Sequence, residues 1–428
     1  MSAQTENKNN KQNKNQKNNG AANEQAPRPV PTIQRIETFL SKLYDFRYNE
    51  VSGKIEGKSK VQADYLPVSD YKINSLARQM MKADIPCSAN GLRNILLSDY
   101  VPVYNPFKKY FNDLPAWDEA DYIKQLAETV QTTDDPLWQL CFRKWIVALA
   151  AGLLIDKVVN HTVIVFSGKQ GVGKTTWILN LVPSQLLEYS FSGTINPGNK
   201  DTLIQLSECM LINLDELESL NRSELGAMKE IITKASIRIR RPYGHSTETL
   251  PRRATFAGSV NNKEFLNDTT GSRRFLCFEV TGIDYQHSIP LEGVYAQAKH
   301  LLDNGFKYWF DKAEIEAINQ NNEQYRSMSV EEELLLTWFE PCNIDNADLY
   351  LTTTELAAWF NVKVKINVTD AAKQKLGRAL RAHKFYRVKR QDRYVYALKE
   401  KDAGLVSFST KFKIRTDEVH PIWVSKVT

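Results

Sequence analysis

The stretch GKQGVGKT at residues 168–175 fits the pattern G-x-x-x-x-G-K-[ST], in which residue type and spacing dictate chemistry. Gly168, Gly171 and Gly173 let backbone N–H groups wrap phosphate oxygens, and a helix opening at Lys174 adds its positive end. Lys174 is expected to reach the β- and γ-phosphates and the Thr175 hydroxyl to hold Mg²⁺, with Thr176 beside them against the nucleotide. The ligands implied are ATP and Mg²⁺. About forty residues on, the run MLINLDE at 210–216 reads as a buried strand delivering two acids at its C-terminal edge, where open α/β sheets bind ligands. Asp215 suits Mg²⁺ held through water, and Glu216 suits orienting and activating an attacking water.

Two further segments follow the acids. ATFAGSVNN at 254–262 reads as a strand ending in amides. Asn261 is the candidate for bonding the γ-phosphate and the lytic water, with Asn262 next. In TGSRRF at 270–275, Arg273 is the candidate for neutralising phosphate charge, supplied in trans by a neighbouring subunit, and Arg274 is its substitute or partner. Between the second and third strands, residues 234–253 hold six Lys or Arg and one acid. Ile237 and Ile239 alternate with arginines, and Tyr243, Gly244 and His245 look like a turn. A basic hairpin bearing Lys234, Arg238, Arg240, Arg241, Tyr243 and His245 suits phosphate tracking and base stacking along single strands.

Other elements must position these groups. Residues 162–166, TVIVF, read as a buried parallel strand directly before the glycine loop. A helix starts at Asp134 or Asp135 with Pro136 in its first turn, carries Trp138, Trp145 and Leu149, and ends near Asp156. Its apolar run, residues 145–155, is 11 residues long, short of the ~20 a membrane span needs. Residues 1–31 are a polar Asn, Lys and Gln tract expected to be disordered. Residues 32–132 form an N-terminal mixed α/β domain, with helices near 33–44, 70–83 and 88–99 and a hairpin near 46–61 turning at Gly53. Residues 133–325 hold the motifs. Residues 326–400 read as a capped helix opening at Thr352 with Glu355, a basic helix with Arg378 and Arg381, and a hairpin with Lys389 and Arg390 near its tip. That order is the order of a winged helix, whose second helix enters the major groove of duplex DNA. Residues 401–428 are a tail.

Bulk properties set the frame. The 428 residues include 42% apolar and 25% charged types, ordinary for a globular protein, and carry a net charge of +6. That excess permits nucleic acid as a partner without arguing for it. Five cysteines, Cys87, Cys141, Cys209, Cys277 and Cys342, include no CxxC pair, so free thiols in a reducing cytosol are expected. The first residues lack the apolar core of a signal peptide, and a cytoplasmic location is expected.

In this order the motifs resemble the superfamily 3 helicases, and most closely the virulence-associated E family of phages and mobile elements. The resemblance runs from about Tyr104 to Gln324 through YNPF at 104–107, LPAWD at 114–118, GVGKT at 171–175, RRPYG at 240–244, PRR at 251–253 and GSRRF at 271–275. It implies an AAA+ core, usually a hexamer, that pulls single-stranded DNA through a central channel with the segment around Arg240 and His245. Relatives are often joined to a primase, so a separate primase is an expected partner. The resulting expectation is an α/β fold, with an AAA+ P-loop core and parallel sheet between an N-terminal mixed domain and a C-terminal winged helix. The chain would then act as an ATP-driven DNA translocase or helicase. The alternative is a DNA-binding initiator or regulator whose ATPase switches its state without processive unwinding.

Overall fold

The computed structural model describes residues 30–196, 198–215, 217, 222–241, 246–266, 272–364, 369–390 and 392–401. The chain divides between Asn105 and Pro106 into two compact units. The expected tails, residues 1–31 and 401–428, lie almost wholly outside the described residues.

The first unit runs α1 (Thr32–Leu43), β1 (Tyr44–Asn49), β2 (Lys54–Ser59), β3 (Leu66–Pro67), α2 (Asp70–Lys82), α3 (Ala89–Leu96) and β4 (Val103–Tyr104). The β1–β2 hairpin turns at Gly53, whose φ of 68° is costly for any residue with a Cβ. The sheet order is β3-β2-β1-β4, with β1 and β4 parallel. Ser69 and Ser88 start α2 and α3 by accepting the backbone N–H groups of Lys72 and Gly91. Leu40, Leu76, Met80 and Leu92 then close a core against one sheet face.

The second unit begins with α4 (Pro106–Asp113), α5 (Tyr122–Glu128), β5 (Val130–Thr132), α6 (Asp135–Leu154), β6 (Val163–Ser167) and α7 (Lys174–Leu179). It continues through β7 (Ser190–Gly193), α8 (Lys200–Glu208), β8 (Leu211–Asp215), α9 (Arg222–Thr233), β9 (Ser236–Ile239) and β10 (Glu248–Pro251). Then come β11 (Thr255–Val260), β12 (Phe275–Ile283), α10 (Leu291–Asp303) and α11 (Lys312–Asn322). One six-stranded sheet has the order β5-β12-β6-β11-β8-β7. Its strands pair in parallel except β5, which is antiparallel to β12. Val163 to Phe166 are all buried because helices and aromatic rings cover both faces of β6. Helix α6 starts as its sequence predicts, with Asp134 accepting the Leu137 N–H and Pro136 in the first turn. Its length and composition would allow a membrane crossing, but Trp138, Phe142 and Trp145 are sealed inside the protein, where a core helix belongs. Trp145 donates to the Phe256 carbonyl at 3.2 Å, fixing the helix to the sheet.

The C-terminal part of this unit holds α12 (Val330–Trp338), β13 (Phe339–Pro341), β14 (Leu349–Leu351), α13 (Thr353–Val364), α14 (Asp370–Ala382), β15 (Arg387–Arg390) and β16 (Arg393–Glu400). The capping box forms reciprocally. Glu355 N–H donates to the Thr352 hydroxyl at 3.2 Å, and Thr352 N–H to the Glu355 carboxylate at 2.8 Å. Strands β13, β14 and β15 all pair with β16, and Leu356, Phe360, Leu376 and Leu380 pack beneath them. The chain is therefore a mixed α/β protein with several sheets, one of them largely parallel.

Candidate phosphate-binding site

The loop between β6 and α7 is shaped by its glycines. Gly168, Gly171 and Gly173 have φ of 142°, 82° and 93°, which side-chain-bearing residues rarely adopt. A Cβ on Gly168 would stand 3.0 Å from the Val280 carbonyl of β12, and one on Gly173 would strike the Tyr285 ring at 2.3 Å. The loop is thus held between its own strand and the end of β12. Lys174 is buried and turns back over the loop, its Nζ donating to the carbonyls of Gly168 at 2.7 Å and Lys169 at 2.8 Å. Helix α7 is anchored from behind by Trp177, fully buried, whose indole N–H donates to the Thr129 hydroxyl at 2.8 Å.

The loop follows β6 at a point where the sheet order reverses. Its neighbours β11 and β12 are the last two strands of this sheet in chain order, whereas β7 lies at the far edge. Such switch points open a crevice at the strands' C-terminal ends. There the Thr175 hydroxyl lies 3.4 Å from Asp215 Oδ1 and 3.2 Å from the Ser259 hydroxyl. The Asp215 carboxylate also accepts from Ser192 at 2.8 Å and from Asn213 at 2.6 Å, and Asn213 donates to Ser192 at 2.9 Å. Parallel pairing of β7, β8 and β11 produces this cluster, with Ser192 opposite Asn213 and Ser259 opposite Asp215. Sequence reasoning missed Ser192, Asn213 and Ser259. Their one signal was a polar residue at or near the end of a strand, the cue that marked Asp215. Glu216 lies outside the described residues. Among the described residues no three His, Cys, Asp or Glu cluster as a metal cage. The oxygens that suit Mg²⁺ are those of Thr175 and Asp215, a hard-cation donor pair of the kind that phosphate oxygens and water complete.

Asn261 and Asn262 are exposed just beyond Val260, which lies opposite Ser167 at the mouth of the loop. The Asn262 side chain accepts the Glu264 N–H at 3.1 Å. Arg273 and Arg274 occupy a short 3-10 turn before β12. Because Phe275 pairs with Val163 and Glu279 with Ser167, the turn sits at the N-terminal end of these strands, opposite the end that carries the loop. At ~3.3 Å per residue that is roughly 15 Å along the strand, out of reach of the phosphates of the same chain.

The basic segment forms an antiparallel pair, β9 with β10, with Ile237 and Ile239 buried and Arg238 and Arg240 exposed. Tyr243 and His245 lie outside the described residues. Not all of its charge faces solvent. Arg241 bonds Glu208 at 2.8 Å and approaches Glu248 at 3.4 Å, with its side chain 11% exposed. Arg252 is fully buried and donates to four backbone carbonyls: Lys234 at 3.1 Å, Ile232 at 2.7 Å, Asn160 at 2.5 Å, and Ala254. Burial draws its guanidinium down to about 9, which leaves it charged at neutral pH. Arg253 is buried as well. Arg241, Arg252 and Arg253, which donates to the Ser207 carbonyl at 3.4 Å, therefore bond inside the fold, and Arg252 caps the C-terminal carbonyls of α9. Lys234 is half-buried.

In the C-terminal part, Arg378 and Arg381 are exposed on α14. At the β15–β16 hairpin, Lys389 pairs with Asp392 at 3.3 Å, and the Arg390 guanidinium stacks 3.5 Å from the centre of the Tyr350 ring. Glu332, buried at the start of α12, receives Arg326 from the preceding segment and the His383 ring, at 2.7 Å, from the end of α14.

Residues 111–327, just over half of the chain, match the family model described as the virulence-associated protein E-like domain. No curated protein matches the chain. Among solved structures the chain is similar to the apo structure of the NrS-1 C terminal region (305-718). That likeness has 15% identity and a TM-score of 0.47, covering 87% of this chain and 100% of that one. Two A-form apo structures of the NrS-1 C terminal region also match at 15% identity, with TM-scores of 0.40 and 0.43. They cover 86% of this chain and 98% and 99% of theirs. None of these descriptions names a helicase, and on these findings the expectation of a ring-forming DNA translocase or helicase is corrected. Across a matched span that contains both Lys174 and Asp215, the chain belongs to the virulence-associated protein E-like domain family.

Proposed function

We propose that the chain is a Mg²⁺-dependent ATPase of a mobile-element replication protein, and that its nucleotide state conditions its hold on DNA. The observation that carries this reading is the approach of Thr175 to Asp215 at 3.4 Å behind a glycine loop of positive φ. In this reading the unit between α5 and α11 is an AAA+ core and the C-terminal helices and hairpin a winged helix. Lys174 bonds the outer phosphates in exchange for the two loop carbonyls it now holds. Thr175 and Asp215 hold Mg²⁺, which when bound offsets charge on the β- and γ-phosphates. Ser192 and Asn213 aim the Asp215 carboxylate, Glu216 activates water, and Asn261 orients it. Arg273, being far from its own loop, completes the site of a second copy of the chain.

A covalent and hydrogen-bonded route supports the link to DNA. Strand β11 carries Ser259 at Thr175 and continues to Phe265 and Leu266, whose N–H groups both donate to the Tyr325 carbonyl at 3.1 and 2.9 Å. The next residue, Arg326, grips Glu332, which holds His383 at the end of α14. The test is hydrolysis by the purified chain with and without Mg²⁺, alongside DNA affinity with ATP analogue, ADP or neither. Mg²⁺-dependent turnover and a DNA affinity that tracks the nucleotide support the proposal. Absence of ATP binding, or DNA affinity indifferent to nucleotide, refutes its first or second half respectively.

A further inference from the structure

Beside the phosphate loop lies a cleft of about 450 Å³ lined by Gln125, Glu128, Gln131, Ile283 and Asp284, with Thr129 at its back. Nothing in the hydrolysis reading uses these residues. Three contacts join the cleft to the loop. The Tyr285 ring packs against Gly173 so closely that a methyl group there would overlap it at 2.3 Å. The Tyr285 carbonyl accepts from Asn180, which caps the C-terminal end of α7, at 2.9 Å. Thr129 accepts from Trp177 within α7 at 2.8 Å, and its carbonyl accepts the Asp284 N–H at 2.8 Å. The cleft is therefore tied to the glycine loop and to α7 through Tyr285 and Thr129.

We propose that this cleft receives the ribose and base of the nucleotide whose phosphates lie in the loop. The proposal rests on the loop being the phosphate site, and it adds where the nucleoside goes and what recognises it. The chemistry fits a nucleoside better than a second anion. Glu128 and Asp284 contribute acceptors suited to ribose hydroxyls and repel free phosphate. Gln125 and Gln131 each offer a donor and an acceptor, as a base edge requires. Ile283 supplies an apolar wall. Tyr285, 39% exposed at the junction, offers a ring face on which a base can stack. Gly282 keeps the floor open, because a Cβ there would meet the Gln131 amide oxygen at 2.9 Å.

Affinities for ATP and for inorganic tripolyphosphate, measured on the full chain in Mg²⁺ by competition against a fluorescent ATP analogue, separate the two halves of the site. Tyr285→Ala and Gln131→Ala are each expected to weaken ATP about tenfold, the worth of one stacking or edge contact, and to leave tripolyphosphate within about twofold. Tyr285→Phe keeps the ring and is expected to bind as the parent does. Asp284→Asn is expected to shrink the preference for ATP over 2′,3′-dideoxy-ATP. If the ratio of ATP to tripolyphosphate affinity is the same in the parent, Tyr285→Ala and Gln131→Ala, the nucleoside lies elsewhere and the proposal is overturned. If tripolyphosphate does not compete with ATP in the parent, the loop itself is not the phosphate site, a failure of the underlying reading.

Discussion

Thr175 and Asp215 stand 40 residues apart in the chain, yet the hydroxyl of one lies 3.4 Å from the carboxylate of the other. The approach exists because β6 and β8 run parallel with β11 between them, so their C-terminal ends open on one crevice. Asp215→Asn preserves the shape of the side chain, removes its charge and turns one of its two accepting oxygens into a donor. The Mg²⁺ concentration for half-maximal hydrolysis is expected to rise by about tenfold or more, with metal-free ATP affinity little changed. Magnesium titration of turnover checks this, and an unchanged magnesium requirement would remove Asp215 from the metal site.

Lys174→Ala and Glu216→Gln are expected to stop turnover in different ways. Lys174 is held directly over the loop by two carbonyls, and in the proposed reading it bonds phosphate, so its loss is expected to weaken ATP binding. Glu216, next along the chain from Asp215, acts on water in the proposed reading, so its amide variant is expected to keep ATP bound without hydrolysing it. Equilibrium binding of a labelled ATP analogue distinguishes the two, and equal affinity losses would undo these roles.

Arg273 sits at the N-terminal end of β12, the end of the strands away from the loop of its own chain. If it serves a neighbouring copy, mixing Arg273→Ala with Lys174→Ala chains creates some interfaces with both residues intact. Partial recovery of hydrolysis in the mixture is the expected result. No recovery in mixtures that demonstrably co-assemble would count against action in trans.

Arg252→Met removes the donors of four buried carbonyls while filling similar space. Urea unfolding is expected to reveal a loss of about 3 kcal/mol or more, because buried carbonyls are left without their donor at ~1–3 kcal/mol each. Arg238→Ala, on the exposed side of the same hairpin, is expected to change stability by less than about 0.5 kcal/mol. Comparable losses in the two variants would mean that Arg252 is no clasp.

The C-terminal part should loosen in acid. Burial by itself would raise the Glu332 carboxyl, but hydrogen bonds from Arg326 and His383 and their charges outweigh it and hold the group below its ordinary 4.5. A carboxyl depressed by folding stabilises the fold above its unfolded value and loses that contribution as pH falls through the folded one. Amide exchange in α14 is therefore expected to accelerate as pH drops below about 4.5, after correction for intrinsic exchange rates. Glu332→Gln should flatten that dependence; a dependence identical to the parent's would place the acid-sensitive contact elsewhere.

Local rules made much of this legible beforehand. The glycine spacing, the Asp134 and Thr352 caps and the turn at Gly53 are each decided within a few residues, and the structure forms them there. Ser192, Asn213 and Ser259 were not legible, because their roles come from register across three strands that no single segment contains. Arg252 and Arg253 misled for a related reason. A charge count treats every arginine as solvent-facing, whereas these two are buried, Arg252 against carbonyls from α9, the hairpin base and the loop before β6. Tyr285 carried no motif at all, and only the fold brings it onto Gly173.

The seating of β12 beside β6 also sets the order in which the molecule can mature on the ribosome. Val280 and Tyr285 leave no room for a side chain at Gly168 or Gly173, so the loop is walled by residues synthesised more than a hundred positions after it. At ~5–20 residues per second the nascent chain carries an unfinished phosphate loop for on the order of ten seconds. A truncation that releases the chain before β12 should leave β6 with an open edge and no competent loop, a species that chaperones would meet before any nucleotide does.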